Sequence, residues 1–183
     1  MERKIVLDLA VTLDGFIEGK NGEIDWCIMD AEMGFHHFLN SIDTIFYGRK
    51  SYDLWGQYTP ELEHADDSEK ELWEAFHSKK KYVFSRTQQG TDQNAIYIND
   101  QILEKVNEIK NKPGKNIWLY GGASLITTFI HLDLVDEFRL SVHPVVLGEG
   151  KPLFEDIKQR LNLKLVHTKT FSSGVVQLVY RHN

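Results

Sequence analysis

The segment Asn116–Ile130, NIWLYGGASLITTFI, constrains this chain more than any other, because it reads as a buried strand, a glycine turn and a helix in immediate succession. Ile117, Trp118, Leu119 and Tyr120 form a short apolar run of β-favouring residues. Gly121 and Gly122 break it, and Leu125, Ile126, Phe129 and Ile130 then recur at helical spacing. Such a junction presents free backbone N–H groups at the positive end of a helix, and paired glycines admit a ligand close to the main chain. A phosphate is its natural guest. Ser124 adds a hydroxyl donor. The plainer alternative is that the two glycines only turn the chain.

The same arrangement recurs upstream. Ile42–Tyr47 reads as a strand, Gly48 and Arg49 end it, and Lys50–Trp55 opens a helix. A third strand, Tyr82–Ser85, ends in Ser85, Arg86 and Thr87, a hydroxyl and a guanidinium that suit a phosphate clamp. A dinucleotide with a pyrophosphate and a second, ribose-bound phosphate needs more than one anion site. The remaining pattern is α/β. Arg3–Thr12 alternates as a central strand, and Leu13–Ile28 is a long glycine-containing loop, either a functional flap or poorly ordered, in which Trp26 argues for anchoring. Asp30 caps a helix to about Asn40, and Ser68 with Glu71 forms a capping box. Lys79, Lys80 and Lys81 read as a solvated helix terminus. Ala95–Ile98 is a short strand, and Asp100 opens a helix closed by Pro113 and Gly114. After Leu134 the alternation of strands and helices gives way to strands at 135–142, 161–171 and 174–181, the last two a hairpin. The total is about eight strands and four helices in a single domain spanning residues 1–183, with a mainly parallel sheet.

Composition narrows the classes of function. A chain of 183 residues with 42% hydrophobic content buries a core without disulfides or metal. Its net charge is −6 and its Lys and Arg are scattered, so the basic stripe of a nucleic-acid binder is missing. The N-terminal stretch carries no cleavage signal and no segment reaches membrane-span length, which points to a soluble cytoplasmic protein. Cys27 is the only cysteine and reads as a small hydrophobe; it excludes an intramolecular disulfide. Among eight histidines the only close pair, His36 and His37, is adjacent and diverges by about 100° on a helix, so no metal site is expected.

With these residues in view, the chain resembles the dihydrofolate-reductase-like family, and more closely its branch related to the reductase domain of the bifunctional riboflavin-biosynthesis deaminase-reductase. The likeness runs through LDGFI, YGRKSY, SRT, YGGASLI and DEFRLSVHPVVLGEGKPLF, in order, over nearly the whole chain. It implies a mixed eight-stranded sheet with about four flanking helices and a C-terminal antiparallel hairpin. It also implies NADPH as hydride donor: Gly121, Gly122, Ala123, Ser124 and Leu125 at the pyrophosphate, Gly48, Arg49, Lys50 and Ser51 from the second junction, and Ser85 and Arg86 at the 2′-phosphate. Ala10, Val11 and Gly15 would border the nicotinamide, and Asp14 and Trp26 would meet the substrate. Asp30 is the candidate catalytic acid, with Glu32 as its neighbour in the same helix region. The expected acceptor is a small heterocycle of pterin or pyrimidine type, as in 5-amino-6-(5-phosphoribosylamino)uracil reductase and dihydrofolate reductase. This chain carries Tyr120 where the riboflavin branch has an acid before the pyrophosphate turn. The non-enzymatic alternative is a nucleotide-binding or regulatory module that keeps the fold, and related reductase domains imply a homodimer.

Overall fold

Alternation of apolar residues in β1 (Ile5–Thr12) and the apolar runs of β3 (Ile42–Gly48), β4 (Lys80–Phe84) and β7 (Asn116–Gly121) give strands buried on both faces. The computed structural model describes residues 3–29, 31–58, 67–88 and 90–182. Its other strands are β2 (Phe16–Glu18), β5 (Gly90–Thr91), β6 (Ile96–Ile98), β8 (Glu137–His143), β9 (Lys151–Pro152), β10 (Leu163–Thr170) and β11 (Val176–His182). The helices are α1 (Phe35–Ser41), α2 (Arg49–Ser51), α3 (Asp67–His77), α4 (Ile102–Lys110) and α5 (Ala123–His131). Asp30, most of the expected loop from Gly56 to Asp67 and the Ser68 side chain lie outside the described residues.

Among the described residues the main sheet has nine strands in the order β10-β11-β8-β1-β7-β3-β4-β6-β5, and β2 pairs with β9 in a separate ribbon. The expected eight strands are all present. The three additional ones, β2, β5 and β9, are two or three residues long, too short for a period of two to register in the sequence. Strands β8, β1, β7, β3, β4 and β6 run parallel, so their carboxyl ends share one edge. The β10–β11 hairpin is antiparallel and turns through Gly174 at φ 86°.

Helices cover both faces. One core holds Leu7, Phe46, Leu119, Ile126 and Phe129, with Val106 and Ile109 of α4; the other holds Phe38 and Leu39 of α1, Phe76 of α3, Tyr47, Tyr52 and Trp118. Among the described residues five helices are seen where about four were expected; α2 is a single turn that widens into a π-type turn at Tyr52–Gly56. Lys81, expected in a solvated terminus, is instead buried in β4, where its ammonium donates to the His77 carbonyl at 3.0 Å. The helix stops a few residues earlier than its charge run does.

Arg3 ties the amino ends of the strands together. Its guanidinium donates to the carbonyls of Lys115 at 2.6 Å and Ile109 at 3.1 Å, to Thr44 Oγ1 at 2.7 Å, and to the Asp43 carboxylate. Replacing Arg3 with alanine strands these acceptors, and we expect a loss of roughly 1–3 kcal/mol of stability. Urea denaturation reads it as a lowered midpoint at unchanged slope; an unmoved midpoint would assign the knot no weight.

Candidate active site at the carboxyl edge of the sheet

The carboxyl ends of β7, β3 and β4 lie side by side, because Tyr47 pairs with Gly121 and Gly48 with Phe84. The two glycine turns therefore touch. A Cβ on Gly48 would sit 3.4 Å from both Gly121 O and Gly122 N, and one on Gly122 would come within 3.1 Å of Ser51 Oγ. Gly121 has φ 110°, a conformation that side chains rarely adopt, and the Gly121–Gly122 peptide is cis. Gly122 precedes α5 and Gly48 precedes α2, and no side chain caps either helix start. Their backbone donors face the edge uncapped by the protein. Ser124 and Lys50 are exposed, Arg49 and Ser51 half-buried, and Ala123 and Leu125 buried beneath the turn.

One strand further along, Ser85 and Arg86 follow Phe84. Ser85 is buried and its oxygen accepts the backbone N–H groups of Thr87 at 3.3 Å and Gln88 at 3.1 Å, which leaves the hydroxyl hydrogen to donate outward. Arg86 is exposed. Arg49 pairs with Asp53 at 2.5 Å across one helical turn. The structure sets Gly48, Arg49, Lys50, Ser51, Ser85, Arg86 and Gly121–Leu125 along one edge.

The loop after β1 is tied down rather than free. Asp14 accepts from Thr12 Oγ1 at 2.6 Å and from the backbone of Leu147 at 3.1 Å and Gly148 at 2.8 Å. The Thr12 hydrogen bond, helped by those of Gly148 and Leu147, holds the Asp14 carboxyl below its ordinary pKa. Gly15 accepts from Leu153 N at 2.8 Å, and β2 pairs with β9. Asp14 thus joins two loops, and its hydrogen-bonding capacity is taken up there. Trp26 packs edge-on against His143 at 5.3 Å, and the His143 ring nitrogen Nδ1 lies 2.9 Å from the Ser141 carbonyl. Glu32 accepts from the hydroxyl of Ser172 at 3.0 Å. Cys27 is half-buried, and burial pushes its thiol pKa up, which keeps it protonated.

Behind this edge stands an acid that sequence reasoning passed over. Asp8 lies midway along β1, opposite Arg139 of β8, and Arg139 Nε is 3.4 Å from its Oδ2. The Asp8 side chain is only 12% exposed. Burial pushes its pKa up to about 7, against the lowering effect of Arg139 and with a further push from Glu137. Three tyrosines cluster at the ends of β3 and β7: Tyr47 and Tyr120 at 4.8 Å, Tyr47 and Tyr52 at 5.6 Å. The hydroxyls of Tyr47 and Tyr52 are buried without a protein partner among the described residues. Two surface clefts, one of about 270 Å³ beside Arg3 and Lys80 and one beside Arg181 and His182, lie at the opposite, amino edge of the sheet. We place the site by chemistry, at the carboxyl edge.

The family model of the RibD C-terminal domain matches residues 3–177. The chain belongs to the RibD C-terminal domain family. It is 75% identical over 182 residues to the uncharacterised protein YyaP of Bacillus subtilis (strain 168), covering 100% of this chain and 96% of that one. Its fold is similar to a putative riboflavin biosynthesis protein from Shewanella sp. PV-4 (TM-score 0.79, 20% identity, 100% and 99% of the two chains). It is also similar to a dihydrofolate reductase from Enterococcus faecalis complexed with NADP(H) (TM-score 0.68, 14% identity, 100% and 99%). The fold is that of dihydrofolate reductase, as expected.

Within this RibD-type domain, the signal that could have found Asp8 is a carboxylate in the middle of a central strand. Its titration has a consequence for stability. The folded chain holds a proton up to about pH 7 that the unfolded chain releases near the ordinary 3.8, so the stability this proton confers is lost as pH rises between those values. Asparagine has no such proton. The stability of the native protein relative to Asp8→Asn should therefore fall as pH is raised through this window, measured by denaturation at several pH values. A difference independent of pH would mean an ordinary carboxylate.

Proposed function

We propose that the chain is an NADPH-dependent reductase of a small nitrogen heterocycle. The observation that carries this reading is the alignment of three strand ends, which sets two uncapped glycine turns and the Ser85–Arg86 pair along one edge. The arrangement suits a dinucleotide phosphate. Gly121–Leu125 and Gly48–Ser51 would hold the pyrophosphate, where the absence of a Cβ on Gly48 and Gly122 leaves the backbone approachable. Ser85 and Arg86 would take the 2′-phosphate, and Ala10, Val11 and Gly15 would border the nicotinamide, with Trp26 beside the substrate. When bound, the cofactor supplies a hydride, and the protein's task is to place the acceptor and manage its proton. Family membership and the likeness to an NADP(H)-bound dihydrofolate reductase support the reading. No helix of the described residues is long and apolar enough to cross a membrane, which fits the proposed place in the cytoplasm.

Tryptophan fluorescence titration tests the cofactor assignment, since Trp118 lies two residues before Tyr120 and its turn. NADPH should bind more tightly than NADH, and Arg86→Ala should weaken NADPH about tenfold, the loss of one charged hydrogen bond, while leaving NADH unchanged. Absence of binding by either nucleotide would leave the fold without this function.

Self-association belongs to the same proposal. Strand β10 is the sheet's outer edge and is exposed along nearly its whole length, with Leu165 49% and Val166 45% accessible; Val146 stands 65% exposed in the loop after β8. A second copy would cover that edge. Sedimentation equilibrium should find a dimer, and Val166→Lys should shift it toward monomer; a native protein that sediments as a monomer contradicts it.

A further inference from the structure

The amino edge of a parallel sheet is where its helices end, and the free carbonyls there draw cations. Several cations at this edge are taken up in that way. Arg3 donates to the Ile109 carbonyl, Lys81 to that of His77 and Lys115 Nζ to that of Asn40 at 2.8 Å, while Lys110 pairs with Asp136 at 2.7 Å. Lys80 and Lys112 are not. Both are exposed, and neither has a carboxylate or carbonyl partner for its ammonium among the described residues. The Lys80 ammonium lies 5.3 Å from the centre of the Tyr82 ring, and Lys112 follows the end of α4. The crowding of charge is felt next door, where burial, and then the Lys115 ammonium, push the Lys79 pKa down against the pull of Asp43.

Lys80 and Lys112 flank the cleft of about 270 Å³ beside Arg3. Its floor is apolar. Tyr82 stands on the same face of β4 as Lys80, and Tyr82 and Ile109, each 5% exposed, belong to the core around Phe46, which meets the Tyr82 ring edge-on at 5.7 Å. Its back is the Arg3 guanidinium, 6% exposed and held by its four acceptors. Asp43 is the one carboxylate among the lining residues, and it already accepts from Arg3, from Thr44 Oγ1 at 2.7 Å and from the Lys115 backbone N–H at 2.8 Å. The cleft therefore keeps a positive excess in a chain whose net charge is −6. Its wall is also fixed. A Cβ on Gly114 would stand 2.5 Å from Asp43 Oδ2 and 3.0 Å from Arg3 Cζ, so the turn that carries Lys112 and Pro113 is seated directly on the Arg3–Asp43 pair.

We propose that this cleft binds a small organic phosphate, a phosphate monoester with a planar or apolar body. Two ammonium groups that arrive from different elements, a strand start and the turn after a helix, suit a tetrahedral dianion, which presents oxygens in several directions. A carboxylate carries less charge and presents both oxygens in one plane. The phosphate stands at the lip between Lys80 and Lys112, and the body lies over Tyr82 and Ile109. A space of about 270 Å³ is at the small end of ligand pockets, so it holds a compact molecule and not a dinucleotide. The seven residues of β3, about 23 Å of strand, separate it from the glycine turns. The site is thus distinct from the proposed cofactor edge and does not depend on the reductase reading. What its ligand touches instead is the Arg3 knot, so its binding stabilises the folded chain.

The test uses the full chain, with phenyl phosphate as probe and with inorganic phosphate and benzoate, which lack the ring and the second charge respectively, as its comparisons. Calorimetric titration should find phenyl phosphate bound, and the bound probe should raise the midpoint of urea denaturation. Nuclear Overhauser contacts should join its ring protons to those of Tyr82. Lys80→Ala combined with Lys112→Ala should weaken binding by about tenfold or more, while Arg86→Ala, at the other edge of the sheet, should leave it unchanged. Inorganic phosphate and benzoate should each bind several-fold more weakly than phenyl phosphate. The proposal is overturned if phenyl phosphate does not bind, if either comparison binds as tightly, if the double variant binds as well as the native protein, or if Arg86→Ala abolishes binding. The contact with Tyr82 is read in the native protein, so its absence overturns the proposal even where the double variant fails to fold.

Discussion

The parallel pairing of β1, β7, β3 and β4 is the constraint on which the rest of the structure hangs. Leu7 opposite Leu119, Tyr47 opposite Gly121 and Gly48 opposite Phe84 leave no freedom in where each strand stops. Arg3 secures the far end of the same strands, holding Lys115 just before β7 and Asp43 and Thr44 at the start of β3. With both ends set, a slip of one residue would turn every inward side chain outward and would separate the two glycine turns. The carboxyl edge is therefore as well defined as the core. Its turns are built of glycine because Gly48 and the Gly121–Gly122 backbone come into van der Waals contact.

The loops on the other side of β1 obey a different logic. The loops after Thr12 and after His143 leave Leu13 and Val146 exposed, and backbone hydrogen bonds together with the Asp14 carboxylate bridge the two. Lys20 with Glu149 and Lys151 with Glu18 add exposed pairs along the same seam. The two loops form one ribbon, and Trp26 closes against His143 at its base. What read as either a flap or a disordered stretch is an ordered edge of the site.

Much of this was legible in the sequence because it is local. Each glycine turn sits between a strand and a helix whose periods are visible on either side, and eight strands could be placed to within a few residues. The ribbon of β2 and β9 was hidden, since its pairing joins residues more than a hundred positions apart over two or three residues. Arg3 was hidden for the same reason; its partners are Asp43, Ile109 and Lys115. Asp8 looked like one polar member of a mixed strand face. Its meaning depends on Arg139, which lies far along the chain and which a period of two cannot reveal. Asp30 falls outside the described residues, so the sequence-based choice of that acid stands where it stood.

The acids of this region show how one residue type takes opposite roles. Asp14 is exposed and accepts hydrogen bonds from a hydroxyl and two backbone amides, each of which favours the anion, so its pKa falls and it works as a fixed negative strut. Asp8 is deep, accepts no hydrogen bond on its carboxyl that matches these, and has one guanidinium poorly aligned beside it, so burial outweighs the cation and its pKa rises to about 7. Arg139 also lies over the Phe38 ring, its guanidinium carbon 5.0 Å from the ring centre. Had the pair closed, the carboxylate would have been held as an anion, like Asp14, and the middle of β1 would be structural support and nothing more.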